Sequence, residues 1–249
     1  LWAVLARLMA RASMDAGAGE GLEGTRRARR GAAILAVSFA VTYTLAGVDW
    51  ILSLEPTFYS TVFPFYGFCG MVLGATALVT ITVVLLHRAG RLPTLREEHL
   101  HDLGKILSTF ATLWAYAWLS QYLLIWYTNM PEETVWYLVR QEGVWGVLWI
   151  ANLFLNWVIP FALLLPRAAK RSSRVLLAVS AVVLAGRWLD IVHLVMPPLQ
   201  SAPTLGWVEL TVPLAAPLLL VFLFARALGR TPLVPEGDPL ITESLTYHT

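Results

Sequence analysis

Six long runs of apolar residues constrain the fold of this chain more than any other feature. A helix needs about 20 apolar residues to cross a hydrocarbon core of roughly 30 Å. Only 14% of the residues are charged and 57% are hydrophobic, whereas about a quarter of a soluble domain is charged. We therefore predict an all-α, polytopic membrane protein. The predicted spans are residues 31–54, 58–86, 103–128, 143–165, 174–196 and 206–226.

These spans divide the 249 residues into three parts. Residues 1–30 are predicted to be the end of a truncated helix followed by a cytoplasmic loop. Residues 31–228 form the predicted six-helix bundle, and residues 229–249 form a polar cytoplasmic tail.

The basic residues predict the orientation of the bundle. With six alternating spans, nearly all arginines and lysines outside the apolar runs fall on one side, in residues 7–30, 88–96, 167–174 and 226–230. Arg140 is the only basic residue in an opposite loop. Because cytoplasmic loops are enriched in Lys and Arg, the basic side is predicted to be cytoplasmic.

The fifth apolar run contains three ionisable residues at intervals of three: Arg187, Asp190 and His193. At about 1.5 Å per residue they lie roughly 14, 9 and 5 Å below the outer end of the helix, and all three share one side of it. A charge near the bilayer centre costs on the order of 2.5–3.5 kcal/mol, so Arg187 requires a partner, and Asp190 is the nearest. Two interpretations remain: a neutralising pair that fixes helix packing, or a proton-handling site that includes His193.

Other acids and aromatic residues are predicted at the same depth. Asp49 and Glu209 each lie about one helical turn inside the outer face. Trp126, Tyr127 and Trp188 lie near that level. Such aromatic residues form an interfacial belt in many membrane proteins. They could also line a slot for a flat apolar ring.

At the cytoplasmic side, the start of the third run is flanked by His101, Asp102 and Lys105. His99 and His101 are two residues apart and do not share a helix face, so no metal site is predicted. A solvated start of the helix, or the mouth of a proton path, explains these residues better.

Several functions find no support in the sequence. The single cysteine, Cys69, cannot hold an iron–sulfur cluster, and facing histidine pairs for a haem are missing from the runs. No nucleotide-binding glycine motif and no nucleic-acid-binding pattern is present. A bundle without bound cofactors and with acids near the outer leaflet would suit a lipid-soluble quinol, whose oxidation releases protons. It would equally suit a proton-coupled transporter.

Long motifs in this chain resemble one family of membrane subunits. They are DWILSLEP (49–56), HLHDLGK (99–105), WAYAWLSQYLLIWYTNMPEET (114–134), LNWVIPFALLLPRAAKR (155–171) and GRWLDIVHLVMP (186–197). Together they resemble the NrfD-like, or polysulfide reductase membrane-subunit, family, and within it the second quinol-binding membrane subunit of bacterial alternative complex III. Family members carry about ten spanning helices, whereas six complete ones are predicted here.

The resemblance implies a cofactor-free subunit of a quinol:cytochrome c type oxidoreductase in a bacterial inner membrane. Its expected partners are lipid, quinol, a related NrfD-like subunit, an iron–sulfur subunit and c-type cytochrome subunits. It implies an outer proton or quinol region at Asp49, Arg187, Asp190 and His193. It implies a cytoplasmic proton entry at His101, Asp102 and Lys105. Trp126, Tyr127, Trp188 and Glu209 are the residues expected to contact quinol. The alternatives are a proton-coupled transporter and a purely structural membrane anchor of a redox complex.

Overall fold

A computed structural model describes residues 2–15, 21–200, 202–203 and 206–229, and these residues form helices joined by turns, with no strand among them. Ten α-helices follow one another along the described chain: α1 (Trp2–Asp15), α2 (Gly21–Trp50), α3 (Phe63–Arg88), α4 (Glu97–Thr128), α5 (Pro131–Gln141), α6 (Gly143–Leu153), α7 (Ile159–Leu164), α8 (Arg167–Arg171), α9 (Ser173–Val195) and α10 (Trp207–Leu228). A short 3₁₀ turn, Leu52–Leu54, follows α2, and a π-helical turn, Phe154–Val158, joins α6 to α7.

The described part of the protein is all-helical, and four of its helices are long and apolar enough to cross a membrane. These segments are Arg26–Leu54, Phe63–Arg88, Gly143–Leu164 and Ser173–Val195. The other two predicted spans, 103–128 and 206–226, fall almost entirely within α4 and α10, which have 32 and 22 residues. Membrane crossing by α4 and α10 stays a prediction.

The helix boundaries follow local chemistry. The second span was predicted to begin at residue 58, but α3 begins at Phe63, with Pro64 in its first turn, where a proline needs no amide hydrogen. Phe58 lies outside the helix and stacks on Trp136, with ring centroids 4.6 Å apart. The loop after Asn129 contains α5, which the apolar pattern did not predict.

The chain divides into two compact units. One contains Leu1–Leu45 and Val221–Thr249. Within it α1 packs on α2, where the Trp2 ring lies 5.0 Å from that of Phe39 and Trp2 Nε1 donates to Thr42 Oγ1 at 2.7 Å. Arg230 and the rest of the predicted tail lie outside the described residues.

The second unit, Ala46–Leu220, contains the core. Helix α3 packs against both α4 and α9. The fully buried residues recur every three to four positions, which places them on one face of each helix. They include Leu73, Ala77 and Val84 on α3, Leu107, Ala111 and Trp114 on α4, and Leu176, Val179 and Val183 on α9. This packing brings the first turns of α3 beside the last turns of α9.

Candidate functional site

Asp190 is the centre of a buried polar network. Its side chain is 1% exposed. Oδ1 accepts hydrogen bonds from the Tyr66 hydroxyl on α3 and from Asn152 Nδ2 on α6, the second at 2.6 Å. Oδ2 lies 2.8 Å from Arg187 Nη2, one turn earlier on α9. Three helices therefore place polar groups around one carboxylate.

One side of this carboxylate remains open to a further hydrogen bond. Although Arg187 Nη2 is at ion-pair distance, it is not aligned for a hydrogen bond, and Asp190 Oδ2 and Arg187 Nη1 have no hydrogen-bond partner among the described residues. Buried polar atoms are nearly always paired with protein or water. Asp190 Oδ2 is thus a position that could accept a hydrogen bond from water or take a proton, and Arg187 Nη1 is a position that could donate a hydrogen bond to water.

Two glycines on α3 make room for Arg187. A Cβ atom on Gly70 would lie 2.3 Å from Arg187 Nη2, and one on Gly74 would lie 3.4 Å from Arg187 Cγ. The guanidinium also lies 5.8 Å from the ring of Trp114 on α4, a distance at which the π face attracts a cation. The small residues of α3 accommodate a charged side chain in addition to any effect on helix packing.

Asn152 is held by Asn156, which lies in the π-helical turn. Asn156 Nδ2 donates to Asn152 Oδ1 at 2.6 Å and to Asn152 O at 3.1 Å. Pro160 has no amide hydrogen for the carbonyl of Asn156, which favours irregular helix geometry at this point. The π turn thereby sets the direction in which the two amide side chains enter the bundle.

Arg140 lies at the predicted outer end of the network and binds the last turn of α9. Its side chain is 1% exposed; Nε donates to the His193 carbonyl at 3.2 Å and Nη2 to the Leu194 carbonyl at 2.9 Å. Nη2 also pairs with Glu55 Oε2 at 2.7 Å, and the guanidinium lies 3.8 Å above the Trp136 ring. Burial lowers the pKa of Arg140 from its ordinary value, but Glu55 opposes that shift. Arg140 satisfies carbonyls at the end of α9 that have no partner within the helix.

His193 connects Arg140 to a small cavity. The imidazole is 3% exposed, and its Nε2 lies 3.2 Å from the Arg140 carbonyl. The cavity, of about 10 Å³, is lined by Tyr66, Trp118, Gln121, Trp136, Tyr137, Trp149 and His193. That volume is near the minimum for one water molecule. Gln121 Oε1 is buried there without a hydrogen-bond partner among the described residues, so the cavity offers polar groups to a water but no space for a quinol ring.

The other described side chains predicted near the outer face are exposed. The side chain of Asp49 is exposed, at the end of α2. Trp126, Tyr127 and Trp188 are 66, 84 and 44% exposed. Glu209 belongs to α10, but its side chain is not among the described ones. Of the residues predicted from the sequence, the structure joins Arg187 to Asp190 and buries His193 one turn beyond them.

The predicted cytoplasmic residues lie at the opposite end of α4. Asp102 Oδ1 pairs with Lys105 Nζ at 2.7 Å, and these side chains are 35 and 45% exposed. His101 is buried, and its Nδ1 has no hydrogen-bond partner in the part of the chain that is described. Burial and the positive charges of Lys105, Arg167 and Arg171 lower the pKa of His101 from its ordinary value.

Four residues of the network were missed by sequence analysis: Tyr66, Asn152, Asn156 and Arg140. Asn152 and Asn156 carried a usable signal, because two amides four residues apart in an apolar run share one helix face and require polar partners. Arg140 stood out as the lone cation in an outer loop, yet it was counted only for topology. Tyr66 carried no signal that separates it from the other aromatic residues.

Within the described residues, no group of three His, Cys, Asp or Glu side chains is placed to hold a metal ion.

Comparisons with known proteins add no family assignment. No protein-family model matches the sequence, and no curated protein matches it significantly.

Proposed function

We propose that this chain is a membrane subunit of a quinol-oxidising respiratory complex in which it transfers protons to the outer side of the membrane. The observation that carries the proposal is the Asp190 carboxylate, buried between apolar helices, paired with Arg187 and left with one oxygen open to a further hydrogen bond. Buried ionisable residues in membrane spans commonly mark ion or proton pathways. The motif resemblance to NrfD-like subunits supports the class of complex.

The chemistry requires a proton acceptor close to the quinol. Oxidation of a quinol to a quinone releases two protons and two electrons. Iron–sulfur and c-type haem centres in partner subunits would take the electrons. The two protons pass to this chain one after the other. Arg187 stabilises the Asp190 carboxylate, which accepts each proton in turn and passes it on. Because the cavity beside His193 is far smaller than the hundreds of Å³ of a ligand pocket, quinol binds at the bundle surface or between subunits.

A path from Asp190 to the outer face follows the network. Tyr66 donates to Asp190 and also lines the cavity that His193 borders. A water in that cavity would link the Tyr66 hydroxyl to the imidazole. His193 contacts the backbone of Arg140, whose side chain pairs with Glu55. Glu55, with a side chain 19% exposed, is the group on this path that reaches the surface. Protons would reach His193 by this route and leave to the outer water near Glu55; the Arg140 carbonyl and guanidinium position these two groups and do not themselves carry the proton.

Replacement of Asp190 by Asn tests the proposal. In the assembled complex we expect quinol-dependent acceptor reduction to fall about 100-fold or more, the range in which a positioned proton acceptor contributes. Glu132→Gln removes an exposed acid at the same end and is the matched control. Rates are expressed per assembled complex, from its haem c content. Turnover of Asp190→Asn equal to that of Glu132→Gln would remove Asp190 from the mechanism.

A structural anchor is the second candidate, and the Arg187–Asp190 pair favours it, since an ion pair one turn apart also neutralises a buried charge. The same experiment separates the two functions. A structural role predicts that Asp190→Asn reduces the amount of assembled complex while turnover per complex stays at the wild-type value. A proton-transfer role predicts loss of turnover in complexes that do assemble.

A further inference from the structure

A groove between α3 and α9 lies at the end of the bundle opposite the Asp190 network. It has a volume of about 500 Å³ and two kinds of lining. Two arginines, Arg88 and Arg174, stand at the helix ends, and Ile81, Leu85, Leu177, Ala178 and Ala181 line the remainder. We propose that this groove binds an anionic phospholipid, with the phosphate on the arginines and an acyl chain along the apolar lining.

The two arginines form an unneutralised pair of cations. Arg88 is the last residue of α3 and Arg174 the second residue of α9, and both side chains are exposed. Arg88 Nη2 lies 3.5 Å from Ser173 Oγ, which holds it beside the start of α9. Neither arginine pairs with an acid among the described residues. Both arginines line the same groove, and the planar donors of a guanidinium match a phosphate group.

The apolar part of the groove is long enough to hold part of an acyl chain. Ile81 and Ala181 each lie seven residues from the arginine of their own helix, which is roughly 10 Å along the axis. Ala178 and Ala181 have small side chains and leave space beside Leu85, which is 53% exposed. Both helices are among the four long enough to cross a membrane. In a bilayer the groove therefore runs from the headgroup region into the hydrocarbon.

This combination favours a lipid over other anions. A free phosphate would contact the arginines alone and leave the apolar lining unused. A phosphatidylcholine has the same acyl chains but carries a cation that the arginines repel. A polybasic site near a membrane gains about 1 kcal/mol per Lys or Arg from anionic lipid, which is about fivefold in affinity per arginine. Loss of both arginines should thus weaken binding roughly 25-fold.

Lipid titration of the purified protein tests the site. After delipidation in detergent, the protein is titrated with phosphatidylglycerol or with phosphatidylcholine of identical acyl chains, and bound lipid is counted by native mass spectrometry. We expect the wild type to retain phosphatidylglycerol preferentially and Arg88→Ala/Arg174→Ala to lose about 25-fold in affinity for it. The control is Arg29→Ala/Arg30→Ala, which removes two exposed arginines of α2 and should change binding less than twofold. Equal losses in both double variants would overturn the proposal.

Two further measurements identify the part of the lipid that is bound. Ala178→Trp fills the groove without changing charge, and it should lower the binding of phosphatidylglycerol while the arginines remain. Glycerol 3-phosphate should compete only weakly. Full competition by glycerol 3-phosphate, or normal lipid binding by Ala178→Trp, would show that the groove takes no acyl chain. Because Ala178 is exposed, this variant tests the site even if the double arginine variant does not fold.

Discussion

The two ends of the second unit contain similar charged residues but differ in how they surround them. At the predicted outer end, Asp190 and Arg140 are 1% exposed, and each contacts at least two other residues. At the inner end, Asp102 Oδ1 lies 2.7 Å from Lys105 Nζ, close to the 2.8 Å between Asp190 Oδ2 and Arg187 Nη2, but these side chains are 35 and 45% exposed. Removing one partner of a buried pair costs about 3–5 kcal/mol, whereas an exposed pair is worth at most about 1 kcal/mol. Burial, more than residue type, therefore distinguishes the functional candidates at the two ends.

The largest effect is expected from Arg140→Met. This change leaves Glu55 and the carbonyls of His193 and Leu194 without their donor, so the free energy of unfolding should fall by about 3–5 kcal/mol. The measurement is denaturant unfolding of the purified chain in detergent. Arg91→Met removes an exposed arginine and serves as the control. A loss below about 1 kcal/mol, the value of an exposed pair, would show that Arg140 stabilises the protein no more than the exposed pair at the inner end does.

Tyr66→Phe tests the hydrogen bond to Asp190 alone. The ring remains in place while the hydroxyl is lost, and a hydrogen bond to a charged group contributes about 1.5–3 kcal/mol. We expect a decrease of that size in the same unfolding assay. Tyr59→Phe, at a residue 65% exposed, should have no measurable effect. Equal stabilities of the two variants would show that the Asp190 carboxylate does not depend on Tyr66.

Gly70→Ala tests the space made for Arg187. The added methyl would lie 2.3 Å from Arg187 Nη2, so the guanidinium must shift, and we expect the shift to disturb its pairing with Asp190. Overpacking of this kind costs about 1–3 kcal/mol. At Gly47 on α2 a Cβ would meet no atom within 4 Å, and Gly47→Ala should raise helix stability by up to about 1 kcal/mol. If both alanine variants are stabilised, Arg187 is free to move.

The smallest effect is expected from Asp102→Asn at the inner end. The variant loses an exposed pair three residues apart on α4, which is worth about 0.2–0.5 kcal/mol on a helix. The stability difference from the wild type should be smaller in unfolding at high salt than at low salt, because salt screens an exposed pair. A loss above about 1.5 kcal/mol, more than an exposed pair provides, would show that Asp102 belongs to a buried network like that of Asp190.

Much of the fold could be predicted because its signal is local. Apolar runs and their lengths place helices at all six predicted spans, since each run needs only its own residues to reveal a helix. The boundaries were less accurate: Pro64 delays α3, and Pro160 introduces the π turn within the fourth run. Helix α5 was missed because its charged residues, including Glu132 and Glu133, interrupt the apolar pattern.

The candidate site could be predicted only in part. Arg187, Asp190 and His193 lie on one helix, so their spacing already placed them on a common side. Their partners are distant in sequence: Tyr66 is 124 residues from Asp190, and Arg140 is 53 residues from His193. The spacing of residues within one helix does not show which other helix packs against it. Asp49 was predicted to join the same site from its depth along the first helix, but its side chain is exposed. The depth of a residue along one helix does not say whether its side chain faces the other helices.

The sequence by itself determined that this protein is helical, that it has membrane-length apolar segments and that one of them carries three ionisable residues. Those properties depend on the composition and order of neighbouring residues. The tertiary structure alone decided that Asp190 is enclosed by Tyr66, Asn152 and Arg187, and that Arg140 covers the end of α9. The physical reason is that desolvation and pairing depend on which helices pack together, and packing is a property of the whole bundle.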